Sequence, residues 1–144
     1  MTHYFVTGAS GFIGRCVLSR LLAQDDTTVT VLVRPESVPR FALALEDILG
    51  AERVIMAVGN LTADGLGLHD EDALEPIDHV IHLGAVHDLT AFEETLQSVN
   101  VDGTARIAEF AARHGAMLHH MSSIAVSGDH DGDFCEDDFD LGQG

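Results

Sequence analysis

Three glycines at fixed spacing constrain the fold of this chain more than any other feature. They lie in the segment Thr7–Gly14 (TGASGFIG), directly after the apolar run His3–Val6 and directly before a stretch with helical periodicity. A glycine pattern between a strand and a helix is typical of the first turn of a βαβ dinucleotide-binding unit. In that setting Gly8 permits the sharp turn, Gly11 lets the backbone approach a pyrophosphate, and Gly14 lets the helix pack closely on the sheet.

The start of the following helix completes this candidate anion site. The free N–H groups of a first helical turn face outward, and the helix dipole favours negative charge there. We therefore predict cofactor contacts from Ser10, Phe12 and Ile13 as well as from the three glycines. The alternative is a glycine-rich turn that binds no ligand, and the motif alone leaves it open.

Strand-like and helix-like segments alternate along most of the chain. The predicted strands are His3–Val6, Thr28–Val33, Arg53–Val58, Asp78–Leu83 and Ala116–Met121. The predicted helices begin at Phe12, span Val38–Leu49, and span Ala91–His114 with Gly115 as the cap; residues 61–76 form a loop. The candidate buried residues of the last helix are Leu96, Val99, Ile107, Phe110 and Ala111. Without hairpin signals, this order predicts an α/β fold of Rossmann type, a doubly wound parallel sheet of five strands in the order 3-2-1-4-5.

Acidic residues outnumber basic ones by 24 to 7, which gives a formal net charge of −17. Such a surface repels nucleic acids and anionic lipids, so we expect neither nucleic acid nor membrane as a partner. A nucleotide must then be held by backbone N–H groups and one or two placed cations.

Cys16 and Cys135 form no C-x-x-C pair, and neither a signal peptide nor a run of ~20 apolar residues occurs, so we expect a cytoplasmic protein.

The end of the chain differs in composition from the rest. Residues 129–144 are rich in aspartate and glutamate, and we expect an irregular acidic tail after a nucleotide-binding domain at 1–128. The tail does not fit a Ca²⁺ loop, because Gly132 comes too early. His119 and His120 are adjacent on a predicted strand and point to opposite faces, so they cannot hold a metal together. No metal site is predicted.

Five motifs, taken in order, resemble one known family. They are TGASGFIG at 7–14, Asn60-Leu61 after the third strand, HLGA at 82–85, NVDGT at 100–104, and MSS at 121–123 followed by AVSG at 125–128. Together they resemble the extended short-chain dehydrogenases/reductases, which include sugar-nucleotide epimerases, dihydroflavonol reductases and acyl-thioester reductases. Gly84 replaces the first alanine of the family's H-x-A-A, and Ser127 replaces a tyrosine. The resemblance covers the chain except its acidic tail.

This resemblance implies an oxidoreductase that reduces a carbonyl or an acyl thioester, and it assigns roles to several residues. Asn60 and Leu61 would contact adenine. The cofactor would also be approached by Leu83, Gly84, Ala85, Asn100 and Ser122. Ser123 matches the catalytic serine of the family's Ser/Thr–Tyr–Lys set, in which the serine orients the carbonyl.

The tyrosine and lysine of that set are missing from this sequence. The chain has no lysine, and its single tyrosine, Tyr4, lies in the first predicted strand, where we expect it to pack. In the family, Y-x-x-x-K falls shortly after the tail, so we expect the sheet to be incomplete at its C-terminal side and the chain to form a homo-oligomer through the uncovered edge. Whether this chain belongs to an enzyme stays open, and the alternative is a catalytically silent nucleotide-binding or regulatory domain.

The choice of cofactor depends on the end of the second strand. NAD enzymes usually place Asp or Glu there, about 20 residues after the glycines. This chain has Arg34, whose guanidinium can pair with a 2′-phosphate, and Glu36 is close enough to compete for it. We predict NADP(H) rather than NAD(H). The alternative is that Arg34 is a solvated charge before Pro35.

Overall fold

The computed structural model of the chain describes residues 1–71, 73–88 and 90–144. Its centre is one sheet of five parallel strands. These are β1 (Thr2–Thr7), β2 (Thr27–Val33), β3 (Val54–Val58), β4 (His79–His82) and β5 (Met117–His120). The order β3-β2-β1-β4-β5 confirms the predicted Rossmann-type topology.

Helices connect the strands at the predicted places. They are α1 (Phe12–Leu22), α2 (Val38–Leu45), α3 (Glu93–Leu96) and α4 (Gly103–His114), and a π-helical segment at Gln97–Asp102 joins the last two. Gly115 ends α4 in the left-handed conformation, φ 63°, as predicted. The stretch 61–76 contains one 3₁₀ turn, Asp64–Gly67.

Two helix boundaries differ from the prediction. The second helix was predicted to reach Leu49 but ends at Leu45, because the amides of Glu46 and Ile48 bond to carbonyls three residues earlier and tighten the chain into turns. The long helix begins at Glu93 rather than Ala91, because Phe92 has an extended backbone.

The sheet is covered on both faces by separate apolar layers. Neighbouring residues of β1 alternate between them: Val6 packs with Leu18 and Phe41, and Phe5 packs with Ile107 and Phe110. Of the five residues predicted to be buried in the long helix, Ile107, Phe110 and Ala111 are buried. Leu96 and Val99 are only half-buried, since they precede α4, and Val99 lines a cleft at the carboxyl ends of the strands.

Residues 129–144 contain turns and irregular backbone without a helix or strand. The segment folds back on residues before it, since the amide of Gly144 donates to the Asp129 carboxylate at 2.7 Å and the Gln143 side chain donates to the Val126 carbonyl at 3.1 Å.

Among the described residues, no helix is long and apolar enough to cross a membrane. In the same part of the chain, no group of three or more His, Cys, Asp and Glu side chains could hold a metal ion.

Candidate cofactor-binding site

A cleft of about 300 Å³ opens at the carboxyl ends of β1 to β4. It lies where the strand order reverses direction, between β1 and β4, which is where open α/β sheets bind their ligands. Its lining comes from four loops and the π-helical segment. The lining residues are Thr7, Gly8, Ser10, Leu32, Val33, Arg34, Ser37, Gly59, Asn60, Leu61, Thr62, Gly84, Ala85, Val86 and Val99.

The three glycines of the first turn differ in how much space the structure leaves for a side chain. Gly8 has a φ of +73°, and a Cβ there would lie 2.7 Å from the backbone nitrogen of Gly84. A Cβ at Gly14 would overlap the Gly8 carbonyl oxygen and the backbone of Ala9. A Cβ at Gly11 would meet only the Gly8 carbonyl oxygen, at 3.4 Å, which is ordinary contact. Gly8 and Gly14 are therefore needed by the fold itself, whereas Gly11 leaves space beside the backbone.

The N-terminus of α1 presents backbone donors beside that space that have no partner within the described ranges. Gly11 is the N-cap, it offers no side chain to the helix, and the first turn carries no acidic residue. The first amide to bond back is that of Arg15, which donates to the Gly11 carbonyl at 3.0 Å. The amides of Phe12 and Ile13 precede it and have no intrahelical acceptor. Open space, exposed N–H groups and the positive end of the helix dipole together fit the diphosphate of a dinucleotide.

Arg34 follows β2 and is the one cationic side chain among the described residues that line the cleft. Its Nε lies 3.3 Å from Glu36 Oε1, and both side chains are roughly two-thirds exposed, at 63% and 65%. Ser37 also lines the cleft, because the 3₁₀ turn Pro35–Ser37 brings it back toward Arg34. Ser37 belongs to none of the sequence motifs, although Pro35 at the first position of a helical turn is a usable signal for this turn.

The loop after β3 forms the opposite wall. Asn60 accepts a hydrogen bond from the amide of Thr62 at 3.1 Å through its side-chain oxygen, and its own amide donates to the Leu66 carbonyl at 2.7 Å. Leu61 reaches across to Gly84, where a Cβ would lie 3.0 Å from Leu61 Cδ1 and 3.1 Å from Thr7 Oγ1. An alanine at this position would therefore require Leu61 or Thr7 to shift slightly, whereas glycine fits without such a shift.

Buried hydrogen bonds fix the position of the residues that follow β4. The amide of Gly84 donates to Thr7 Oγ1 at 3.1 Å, and Thr7 Oγ1 lies 2.6 Å from His82 Nδ1. Burial, and secondarily the neighbouring His120, lower the pKa of His82 from 6.5 to about 4. Asn100 holds the same segment from the π-helical side, since Val86 N–H donates to its Oδ1 at 2.8 Å and its Nδ2 donates to the Val86 carbonyl at 2.9 Å.

The remaining predicted positions lie outside the cleft lining. These predicted cofactor contacts are Gly11, Phe12, Ile13, Gly14, Leu83, Asn100 and Ser122. Ser122 and Ser123 are exposed and follow β5 at the same edge of the sheet, where the amide of Met121 donates to the His82 carbonyl at 3.0 Å. Ser123 accepts a hydrogen bond from the amide of Ala125 at 3.2 Å and caps the 3₁₀ turn Ile124–Ser127.

Tyr4 is a packing residue, as predicted. Its ring stacks on His79 at a centroid distance of 5.0 Å, and the two residues are register partners at the amino end of β4. Ser123 follows the carboxyl end of β5, so the two residues lie toward opposite edges of the sheet. Tyr4 therefore has no place beside Ser123.

An NAD-binding family described as Male sterility protein matches residues 6–142. This chain belongs to that family. The match confirms the predicted relationship to the short-chain dehydrogenases/reductases, and it extends into the acidic residues that the sequence motifs did not reach. Membership implies a nicotinamide dinucleotide as the cofactor, and the glycine turn and the uncapped N-terminus of α1 fit that group.

Relatives of this family member occur within much larger proteins. The hybrid PKS-NRPS synthetase mycA of Thermothelomyces thermophilus is 37% identical over 124 residues, which are 84% of this chain and 3% of that protein. The terminal R domain from the myxalamid PKS-NRPS biosynthetic pathway superposes with a TM-score of 0.83 at 28% identity, over 96% of this chain and 39% of that chain.

A short-chain type dehydrogenase/reductase from Mycobacterium ulcerans shares the fold. Its TM-score is 0.71 at 24% identity, over 90% of this chain and 54% of that chain. The chain thus matches the cofactor-binding part of a reductase-type fold, and it spans about 3% of the length of the curated relatives it matches.

Proposed function

We propose that this chain is the NADP(H)-binding part of a reductase domain that reduces an acyl thioester. The observation that carries the proposal is the cleft, in which the glycine turn supplies backbone donors and Arg34 supplies one cation. The relatives support the chemistry, since one is named a PKS-NRPS synthetase and another the terminal R domain of such a pathway. They favour an acyl thioester over a free carbonyl compound.

Arg34 supports the choice of NADP(H) over NAD(H). Its Nε faces Glu36, and among the residues that the structure describes neither terminal nitrogen of the guanidinium has a hydrogen-bond partner, so both can bond a phosphate in the cleft. A 2′-phosphate carries more negative charge than the Glu36 carboxylate and can displace it. Because the chain has a net charge of −17, the affinity for a phosphate has to come from this local cation and the N-terminus of α1.

The chain's own residues orient and hold the reactants in this proposal. When bound, NADPH supplies hydride to the carbonyl carbon, so that the C–S bond breaks and an aldehyde and a thiol are released. Ser123 keeps its hydroxyl hydrogen available for the substrate carbonyl, because its oxygen already accepts from the amide of Ala125. The proton for the leaving thiolate has to come from a group other than Tyr4, which is packed against His79.

The test uses the protein that carries this chain, with NADPH and two substrates: a fatty acyl thioester of N-acetylcysteamine and a simple ketone. Release of thiol and aldehyde at the rate of NADPH oxidation would support thioester reduction. Oxidation of NADPH with the ketone alone would replace it by carbonyl reduction. Binding of NADPH without turnover of either compound would reject the enzymatic proposal.

That last outcome describes the second candidate, a silent nucleotide-binding or regulatory domain. The observation that favours it is that, in the described part of this chain, no tyrosine–lysine pair stands beside Ser123. The sequence contains no lysine, and Tyr4 lies toward the other edge of the sheet.

We also propose that the protein is cytoplasmic and that this chain forms a homo-oligomer. The support for the oligomer is the edge strand β5, on which Met117 is 60% exposed, followed by Met121 at 52%. An edge strand with exposed apolar side chains is a template for pairing with a second chain.

A further inference from the structure

His82 lies at the carboxyl end of β4, is only 1% exposed, and has a hydrogen-bond partner at each ring nitrogen. Its Nδ1 lies 2.6 Å from Thr7 Oγ1, and its Nε2 lies 3.2 Å from Thr104 Oγ1 in α4. The ring also stacks on His120 of β5 at a centroid distance of 5.3 Å. His82 therefore connects β1, β4 and α4 through polar contacts.

The two ends of this network determine which ring nitrogen carries the hydrogen. Thr104 Oγ1 lies 2.6 Å from the Asn100 carbonyl, and because a carbonyl can only accept, the Thr104 hydroxyl is the donor there. Thr104 Oγ1 must then accept from His82, so Nε2 bears the hydrogen. A neutral ring has its lone pair on Nδ1, which accepts from the Thr7 hydroxyl, and Thr7 Oγ1 accepts from the amide of Gly84.

Every bond in this series points the same way, and both ends of the series reach the same wall of the cleft. The series starts at the amide of Gly84 and ends at the carbonyl of Asn100. The side chain of Asn100 makes two hydrogen bonds to the backbone of Val86. Gly84, Ala85 and Val86 together form the cleft wall that follows β4.

We propose that His82 is a positioning residue for the cofactor: as the neutral Nε2–H tautomer it fixes the wall Gly84–Val86 relative to the glycine turn. The inference rests on the cleft as the cofactor site and is independent of thioester chemistry. Protonation of Nδ1 would turn it from an acceptor into a donor, and the Thr7 hydroxyl would lose its acceptor. The lowered pKa of His82 agrees with this arrangement, because it keeps the ring neutral at pH 7.

Small displacements of this wall matter because the two loops nearly touch. A Cβ at Gly8 would lie 2.7 Å from the Gly84 nitrogen, so there is no spare space between the glycine turn and the wall. A shift of Gly84–Val86 by a few tenths of an ångström therefore changes the shape of the cleft directly. The effect should be the same for NADPH and NADH, since Arg34 lies on the other side of the cleft, after β2.

The first test determines the tautomer. We expect the ¹⁵N shifts of the His82 imidazole in the 144-residue chain at pH 7.5 to show hydrogen on Nε2 and none on Nδ1. Hydrogen on Nδ1, or on both nitrogens, would overturn the inference. The ¹⁵N shifts are measured without a ligand, so their result does not depend on the proposed function.

The second test measures affinity in His82→Leu, with His79→Leu as the matched control. His79 is also a strand histidine of β4 with a histidine partner, at 3.1 Å from His119, but it faces away from the network. We expect His82→Leu to weaken NADPH and NADH binding equally, about ten-fold for two lost hydrogen bonds, and to move the amide resonances of Gly84 and Val86. Unchanged affinity with unmoved amides would refute the positioning role.

A second pair of variants keeps the test decisive if His82→Leu does not fold. Thr104→Val removes the acceptor of Nε2–H while keeping side-chain shape, and Thr104→Ser retains the hydroxyl. Weaker binding in the valine variant with recovery in the serine variant supports the role; equal binding in both rejects it. If the wild-type chain binds neither dinucleotide, the proposed function fails, whereas the tautomer result is unaffected.

Discussion

Arg34 Nε and Glu36 Oε1 lie 3.3 Å apart at the mouth of the cleft. Both side chains are largely solvated, so the pair contributes little to stability and can be broken by a competing anion. The Glu36 carboxylate therefore competes with a bound phosphate for Arg34, the one cation among the described residues that line the cleft. Both residues should influence the choice between the two nicotinamide dinucleotides.

Replacing Arg34 by alanine should reduce affinity for NADPH selectively. Loss of a charged hydrogen bond to the 2′-phosphate corresponds to about 1.5–3 kcal/mol, while affinity for NADH should hardly change. Glu36→Gln should strengthen NADPH binding, because it removes the competing carboxylate. Calorimetry with both dinucleotides measures the difference, with Arg40→Ala as an exposed control outside the cleft. Equal losses for the two dinucleotides in Arg34→Ala would disprove the assignment.

Substitutions at two glycines of the first turn should have different effects, one on cofactor binding and the other on folding. Gly11→Val should keep the fold, because a Cβ there meets only one atom at ordinary contact distance, yet it should abolish binding of both dinucleotides by filling the diphosphate space. Gly14→Val should unfold the chain, since its side chain would overlap the backbone of Gly8 and Ala9. Circular dichroism and calorimetry distinguish the two outcomes. A folded Gly11→Val chain with normal affinity would refute the placement of the diphosphate.

His82 should make the stability of the chain depend on pH in a defined window. Its pKa is lowered from 6.5 to about 4 in the folded state, so between these values the unfolded chain binds more protons than the folded one. The free energy of unfolding should fall by up to about 3 kcal/mol as pH drops from 6.5 to 4, with no further loss from this group below 4.

Urea denaturation across that range, compared between wild type and His82→Asn, isolates the contribution. The asparagine oxygen can still accept from Thr7 but does not titrate, so the variant should show a flatter dependence on pH. His120 is the titratable neighbour in contact with the ring, whereas Thr7 and Thr104 are uncharged. Exposed His87, replaced by glutamine, serves as the control. Parallel curves for wild type and His82→Asn would contradict the buried neutral ring.

The strand order and the glycine turn could be predicted from the sequence because they depend on local periodicity and on the handedness of crossovers. The sequence predicted lining residues of the cleft only where they lie in a recognised motif or, for Arg34, at the end of the second strand. The predicted lining residues are Gly8, Ser10, Arg34, Asn60, Leu61, Gly84 and Ala85. Ser37, Val86 and Val99 line the same cleft but have no motif, since their positions follow from how the 3₁₀ turn and the π-helical segment pack.

His82 shows most clearly what sequence patterns leave out. The HLGA motif marks the position of this residue but not its hydrogen bonds, each of which is ordinary by itself. Their partners are Thr7 and Thr104, which are 75 and 22 residues away in sequence, so the arrangement exists only after the sheet and α4 have assembled. The predicted end of α2 was wrong for a related reason. Turns that lead to Gly50, with its φ of 82°, stop the helix before its apolar pattern ends.

The purified 144-residue chain should self-associate through β5. Met117 on this edge strand is 60% exposed, and the net charge of −17 opposes indiscriminate aggregation but not a specific paired contact. Light scattering should show mass rising with concentration. Met117→Glu should shift the chain toward monomer, whereas Leu49→Glu, which adds the same charge at a 92% exposed position away from the sheet, should not. A constant monomer mass over a wide concentration range would count against the oligomer.

The same chain should bind NADPH without oxidising it in the presence of a thioester or a ketone. Reduction needs a proton donor near Ser123, but the sequence has no lysine, and Tyr4 is packed against His79 at the amino end of β4. Absorbance at the NADPH maximum should stay constant over hours, and Ser123→Ala should bind NADPH as the wild type does. Steady turnover that Ser123→Ala abolishes would show that another side chain supplies the proton. The exposed carboxylic acids after β5, and half-buried His130, would then be the first candidates for substitution.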